Sequence, residues 1–128
     1  MSRVAYGRVR VVSCKPNEPP KVIDIKNSSK RMQEHLLGQY VFLPRGRLFI
    51  NRSICIICNH RENRYEIDGR EWPPGHRNNN VFNSNGIIII CKVIDGMFTS
   101  LTCNEIQDVF TVIEKNKTET KTITVEAV

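Results

Sequence analysis

The run Ile87-Ile-Ile-Ile-Cys-Lys-Val93 leaves little freedom in how this chain can fold. Isoleucine and valine are stiff at χ1 and suit a pleated surface, so the run predicts a strand. It is far shorter than the roughly 20 apolar residues of a membrane-spanning helix. A second run, Ser53-Ile-Cys-Ile-Ile-Cys58, is apolar on both faces and therefore belongs inside a sheet. Two further segments supply partners. Arg8-Val-Arg-Val-Val-Ser-Cys14 alternates in part, and Lys21-Val-Ile-Asp-Ile25 follows it after Pro16, Asn17, Pro19 and Pro20. Those turn residues make the pair a hairpin. Gln39 to Leu43 and Arg47 to Ile50 flank Pro44-Arg45-Gly46 and read as a strand and its return.

Two helices are signalled by their ends. Asn27-Ser28-Ser29 can accept from free N–H groups, Met32, Leu36 and Leu37 recur at helical spacing, and Gly38 can close the helix in a left-handed conformation. Thr102-Cys-Asn-Glu105 has the spacing of a capping box, and Ile106, Val109, Phe110 and Ile113 form one stripe over about 103–114. The expected fold is α+β: a mostly antiparallel sheet of about five strands with two short helices on one face, in a single domain over 1–114. In the tail, 115–128, threonines alternate with charges, which suggests an edge strand, a strand swapped between the protomers of a homodimer, or disorder.

The chain has 128 residues, enough for one core, and a net charge of +6. The charge is uneven: residues 1–77 hold 15 basic and 7 acidic residues, whereas 78–128 hold 4 and 6. A positive field of this kind suits nucleic acid, nucleotides, phosphate groups or an acidic protein. Five cysteines, three of them within apolar runs, point to reduced thiols. The first six residues lack the apolar core of a secretion signal, so a cytoplasmic location without membrane attachment is expected.

Residues 59–86 are polar and rich in Asn, Arg and Gly, with a short strand expected at Tyr65 to Ile67 and a turn at Asp68-Gly69. Long irregular segments inside a domain are usually functional or disordered. From 45 to 77 every Lys/Arg position is arginine, namely Arg45, Arg47, Arg52, Arg61, Arg64, Arg70 and Arg77. Guanidinium forks bind phosphate bidentately and stack on flat rings. Tyr65 and Trp72 lie among them and could stack a base. The ligand-binding set predicted from sequence is therefore Arg61, Arg64, Tyr65, Arg70, Trp72, His76, Arg77 and Asn78. The expected partner is an anionic small molecule or nucleic acid, or alternatively a host protein.

Catalytic and metal readings have less behind them. His60 and His76 could serve as base and acid in phosphodiester cleavage, but only their shared polar segment links them. Cys55-x-x-Cys58-x-His60 has half the spacing of a zinc site. On a strand, however, Cys55 and Cys58 point to opposite faces. No catalytic residue, metal or cofactor is assigned from the sequence.

The order of these segments resembles a known family. Cys14-Lys-Pro-Asn-Glu-Pro-Pro-Lys-Val-Ile-Asp-Ile25 is similar to its strand–turn–strand opening, and Leu36-Leu37-Gly38-Gln39-Tyr40 to its helix–strand junction. Cys58-Asn59 resembles its post-strand turn, and Gly86-Ile-Ile-Ile-Ile90 with Gly96-Met-Phe-Thr-Ser-Leu-Thr102 its close before a last helix. The family is the phage and mobile-element domain of unknown function numbered three-eight-four-six, and the resemblance covers about residues 8–113. Residues 60–83 are longer than the family's connection, so its asparagine loop maps only loosely onto Asn78. The resemblance implies a setting, an accessory or counter-defence protein in a bacterial cell, and no chemistry.

Overall fold

The computed structural model describes residues 7–43, 49, 51–59, 65–67, 70–72 and 86–126. Along the chain these form β1 (Arg8–Cys14), β2 (Lys21–Lys26), α1 (Ser29–Leu36), β3 (Tyr40–Phe42) and β4 (Ile54–Asn59). There follow β5 (Tyr65–Ile67), β6 (Arg70–Trp72), β7 (Ile88–Ile94), β8 (Met97–Thr99) and α2 (Cys103–Glu126). The fold is α+β. Six strands form one sheet in the order β2-β1-β7-β4-β3, with β8 added beside β7, and every pairing is antiparallel. β5 and β6 form a separate two-stranded ribbon.

The isoleucine run sits at the centre of the sheet. One edge of β7 pairs with β4 from Ile88 to Lys92. The other edge is shared, with β1 opposite Ile88–Ile90 and β8 opposite Lys92–Ile94. Where β1 leaves β7, its backbone is satisfied by the segment entering α2: the Arg10 N–H donates to Ser100 Oγ at 2.9 Å, and the Leu101 N–H donates to the Arg10 carbonyl at 3.0 Å.

Strand parity divides the core in two. Val12, Ile54, Ile56, Cys58, Ile88 and Ile90 pack with Val109 and Ile113 of α2. Val9, Val11, Ile57, Ile89 and Cys91 pack with Met32 and Leu36 of α1. The helices therefore cover opposite faces, and the molecule has three layers rather than two layers with both helices on one face. The reason lies in β4 and β7, which are apolar on both sides and so must be covered twice. α2 is also long. No glycine or proline interrupts 103–126, so nothing in the sequence stops the helix near 114. Up to Glu126 the tail is helix and not an edge or swapped strand; its threonines, being β-branched, read as strand-like in isolation.

Among the described residues the partner of β3 is β4, with Tyr40 opposite Asn59, while most of the expected return strand at 47–50 lies outside them. Within 47–50 only Phe49 is among the described residues, and it is buried outside any strand. Helix α1 is capped by Ser28, whose Oγ accepts from the Arg31 N–H at 3.1 Å. At its other end the left-handed residue is Leu37 (φ 64°), not Gly38.

Candidate anion-binding groove

β2 ends the sheet, and α1 lies over the face behind it. Between them runs an open groove of about 700 Å³. Ile23 and Ile25 form its floor, and Arg8, Lys26, Arg31 and His35 bring basic groups to it from three elements. Arg8 reaches the sheet edge, where its guanidinium donates to the Asp24 carbonyl at 3.1 Å. Asp24 and Glu34 also line the groove, but both carboxylates are engaged. Arg10 grips Asp24 side-on, through Nε to Oδ1 at 2.8 Å and Nη2 to Oδ2 at 2.9 Å. That hydrogen-bonded pair, with Arg8 nearby, holds the Asp24 carboxyl below its ordinary value. Glu34 accepts from Arg31 at 3.1 Å, one helical turn away. Neither Arg8 nor Lys26 has a carboxylate partner among the described residues.

His35 joins this groove to a smaller cavity of about 70 Å³ beside the β1–β2 turn. Its Nε2 lies 2.8 Å from the Oγ of Ser13, a residue near the end of β1 that is only 4% exposed. Lys15, Glu18, Pro19, Lys21 and Ile23 complete the wall. Burial, and secondarily the charge of Lys15, pushes the His35 imidazole below its usual value, so the ring is neutral near pH 7. A serine touching a neutral histidine is the start of a nucleophilic site. No carboxylate orients His35 among the described residues, and Ser13 is in ladder register with Lys21 on one side and Ile89 on the other.

The residues predicted from sequence fall elsewhere. Arg61, Arg64, His76, Arg77 and Asn78, with His60, lie outside the described residues, as does the expected turn at Asp68-Gly69. Tyr65, Arg70 and Trp72 are placed on the β5–β6 ribbon, where Tyr65 stands directly opposite Trp72 and Arg70 opposite Ile67. Cross-strand partners and residues two apart share a face of a ribbon, so these four positions form one set and Glu66 and Glu71 the other. The parity expectation for the cysteines holds. Cys58 belongs to the α2-side core and Cys55 packs against the α1-side core, so the two cannot share a metal. All five cysteines are free thiols. Burial pushes Cys58 up to about 11, and burial with Cys55 nearby pushes Cys91 up to about 12, which makes both inert near neutral pH.

The sequence reading passed over the groove because its cations are scattered at positions 8, 26 and 31, whereas the arginines of 45–77 are dense. The expected hairpin partner ended at Ile25, and in the structure the β1–β2 ladder sets Arg8 directly opposite Lys26, a like-charge pair that costs stability unless something anionic answers it. No protein-family model, curated protein or solved structure matches this chain, so its function is read from its own residues. No helix among the described residues is long and apolar enough to cross a membrane.

Proposed function

We propose that this protein binds a phosphate-bearing ligand, a nucleotide either free or within a strand, in the groove between β2 and α1, and does not turn it over. One observation carries the reading. Arg8, Lys26 and Arg31 converge on an open groove of about 700 Å³ whose own carboxylates are engaged by Arg10 and Arg31. Pockets for small organic ligands span roughly 300–1,000 Å³, so the size suits a nucleotide. Arginine supplies the two-pronged contact that phosphate oxygens accept, and lysine adds a point charge. In the phage or mobile-element setting implied by the sequence resemblance, such a ligand would be a host defence signal.

Titration calorimetry against nucleoside mono- and diphosphates, cyclic dinucleotides and short oligonucleotides tests the reading. Arg8→Ala and Lys26→Ala should each weaken binding about tenfold, the usual weight of one charge-assisted contact. Their melting temperatures should stay near that of the parent, because substitutions at exposed positions such as these usually change stability by less than about 0.5 kcal/mol. A free nucleotide as the tightest ligand would identify a small-molecule site. Preference for an oligonucleotide, lost steeply with salt, would identify a strand binder. Unchanged affinity in both variants would remove the groove as the site. No binding to any phosphate compound would leave the basic surface to a protein partner.

A further inference from the structure

We infer that Ser13, Lys15, Lys21 and His35 form a subsite for one terminal phosphate monoester, so that the ligand enters the groove phosphate-first. This rests on the proposal that the groove takes a phosphate-bearing ligand. The small cavity adjoins the groove through two shared residues, Ile23 and His35, and Pro19 with the turn between β1 and β2 also lines it. At about 70 Å³ it is several times the roughly 15 Å³ that one water needs, which is room for a phosphoryl group and not for a nucleoside.

Ser13, Lys15 and Lys21 bring three donors to the cavity lining. Lys15 is exposed and has no carboxylate partner among the described residues. Lys21 is held by Glu18 at 3.4 Å, an exposed contact that an oxyanion of higher charge can displace. When Nε2 of His35 carries a proton it donates to Ser13 Oγ, which frees the serine hydroxyl to donate into the cavity. Glu18 opposes the anion, and Lys15 and Lys21 outweigh it. The dianion of a monoester gains more from these lysines than the monoanion of a diester does.

The test compares a dinucleotide carrying a terminal 5′-phosphate, whose internal phosphodiester is left for Arg8 and Lys26, with the same dinucleotide methylated on the terminal phosphate, together with inorganic phosphate, on the full chain. The monoester should bind about tenfold tighter than the diester, and Lys15→Ala should remove most of that preference by weakening the monoester more than the diester. Lys21→Ala should act in the same direction. Both lysines are exposed, so these variants fold, and Ser13→Ala can be read against them. Equal binding of the two esters to the parent protein overturns the subsite, as does a preference that survives in both lysine variants. If inorganic phosphate binds through Lys15 while Arg8→Ala and Lys26→Ala change nothing, the subsite stands and the groove proposal falls. If the esters bind through Arg8 and Lys26 without any monoester preference, the groove proposal stands and the subsite falls. No binding of phosphate or either ester rejects both.

Discussion

A methyl group added at Gly38 would lie 2.6 Å from Asn59 Nδ2. Asn59 cannot easily yield. It is 4% exposed, and its Nδ2 donates to the Leu36 carbonyl at 3.0 Å, satisfying one of the free acceptors at the end of α1. Glycine at 38 therefore answers a close approach between helix end and sheet, and the left-handed turn belongs to its neighbour. Leu37 adopts φ 64° and ψ 30° with its side chain 67% exposed, so it bears backbone strain without packing in return. The two adjacent positions should respond with opposite signs. Gly38→Ala should cost about 1–3 kcal/mol, as overpacking does. Leu37→Gly should gain up to about 1 kcal/mol by relieving the left-handed strain. Urea denaturation midpoints at unchanged slope would check both. A stabilising Gly38→Ala would show that Asn59 has space to move. Sequence reasoning found this junction and assigned its geometry to the wrong residue, since a glycine after a helix signals either conformational freedom or missing volume and only the packed neighbour tells which.

At the scale of elements, the start of α2 is the best-anchored joint. Glu105 Oε1 accepts from the Thr102 N–H at 2.8 Å and from Lys92 Nζ at 3.1 Å, while Oε2 accepts from Asn51 Nδ2 at 2.6 Å. Thr102 Oγ1 in turn accepts from the Glu105 N–H at 3.2 Å, which completes the capping box. One carboxylate thus ties α2 to β7 and to the segment before β4. Burial alone would raise the Glu105 carboxyl, but Thr102 and Lys92 together hold it below its ordinary value. A carboxylate lowered in the folded state gives stability that is complete above the unfolded value, about 4.3 for glutamate, and is lost as pH falls towards the folded one. Glu105→Gln should therefore destabilise the protein near pH 7 by about 1.5–3 kcal/mol, the range for hydrogen bonds to charged groups. The gap between parent and variant should close as pH drops below about 4. Asp24 is also lowered, by Arg10, and titrates in the same window in both proteins, so the difference between them isolates Glu105. A gap independent of pH would mean that shape and not charge holds the joint. The box itself was legible, because its four-residue spacing is local. The participation of Lys92 and Asn51 was not, because it depends on which strand passes beneath the helix.

At the scale of the whole molecule, the same distinction separates what the sequence tells from what it withholds. Strands β1, β2, β4 and β7 are visible in valine and isoleucine runs, and the antiparallel α+β class follows from them. Which face a helix covers is set by long-range packing, and the groove cations at 8, 26 and 31 meet only once β2 and α1 are placed together. The layer arrangement has a consequence in the isoleucine run itself. Ile89 packs on the α1 side and Ile90 on the α2 side, and both are fully buried. With helices on one face only, one of these neighbours would border solvent, and its truncation would cost little. With both faces covered, Ile89→Ala and Ile90→Ala should each cost about 2–5 kcal/mol, as cavity-forming substitutions in a closed core do. The two variants should also differ in where they loosen. Hydrogen exchange should quicken in α1 for Ile89→Ala and in α2 for Ile90→Ala, because each cavity opens beneath a different helix. Near-neutral stability for either variant would place one face of β7 against solvent and return the molecule to two layers.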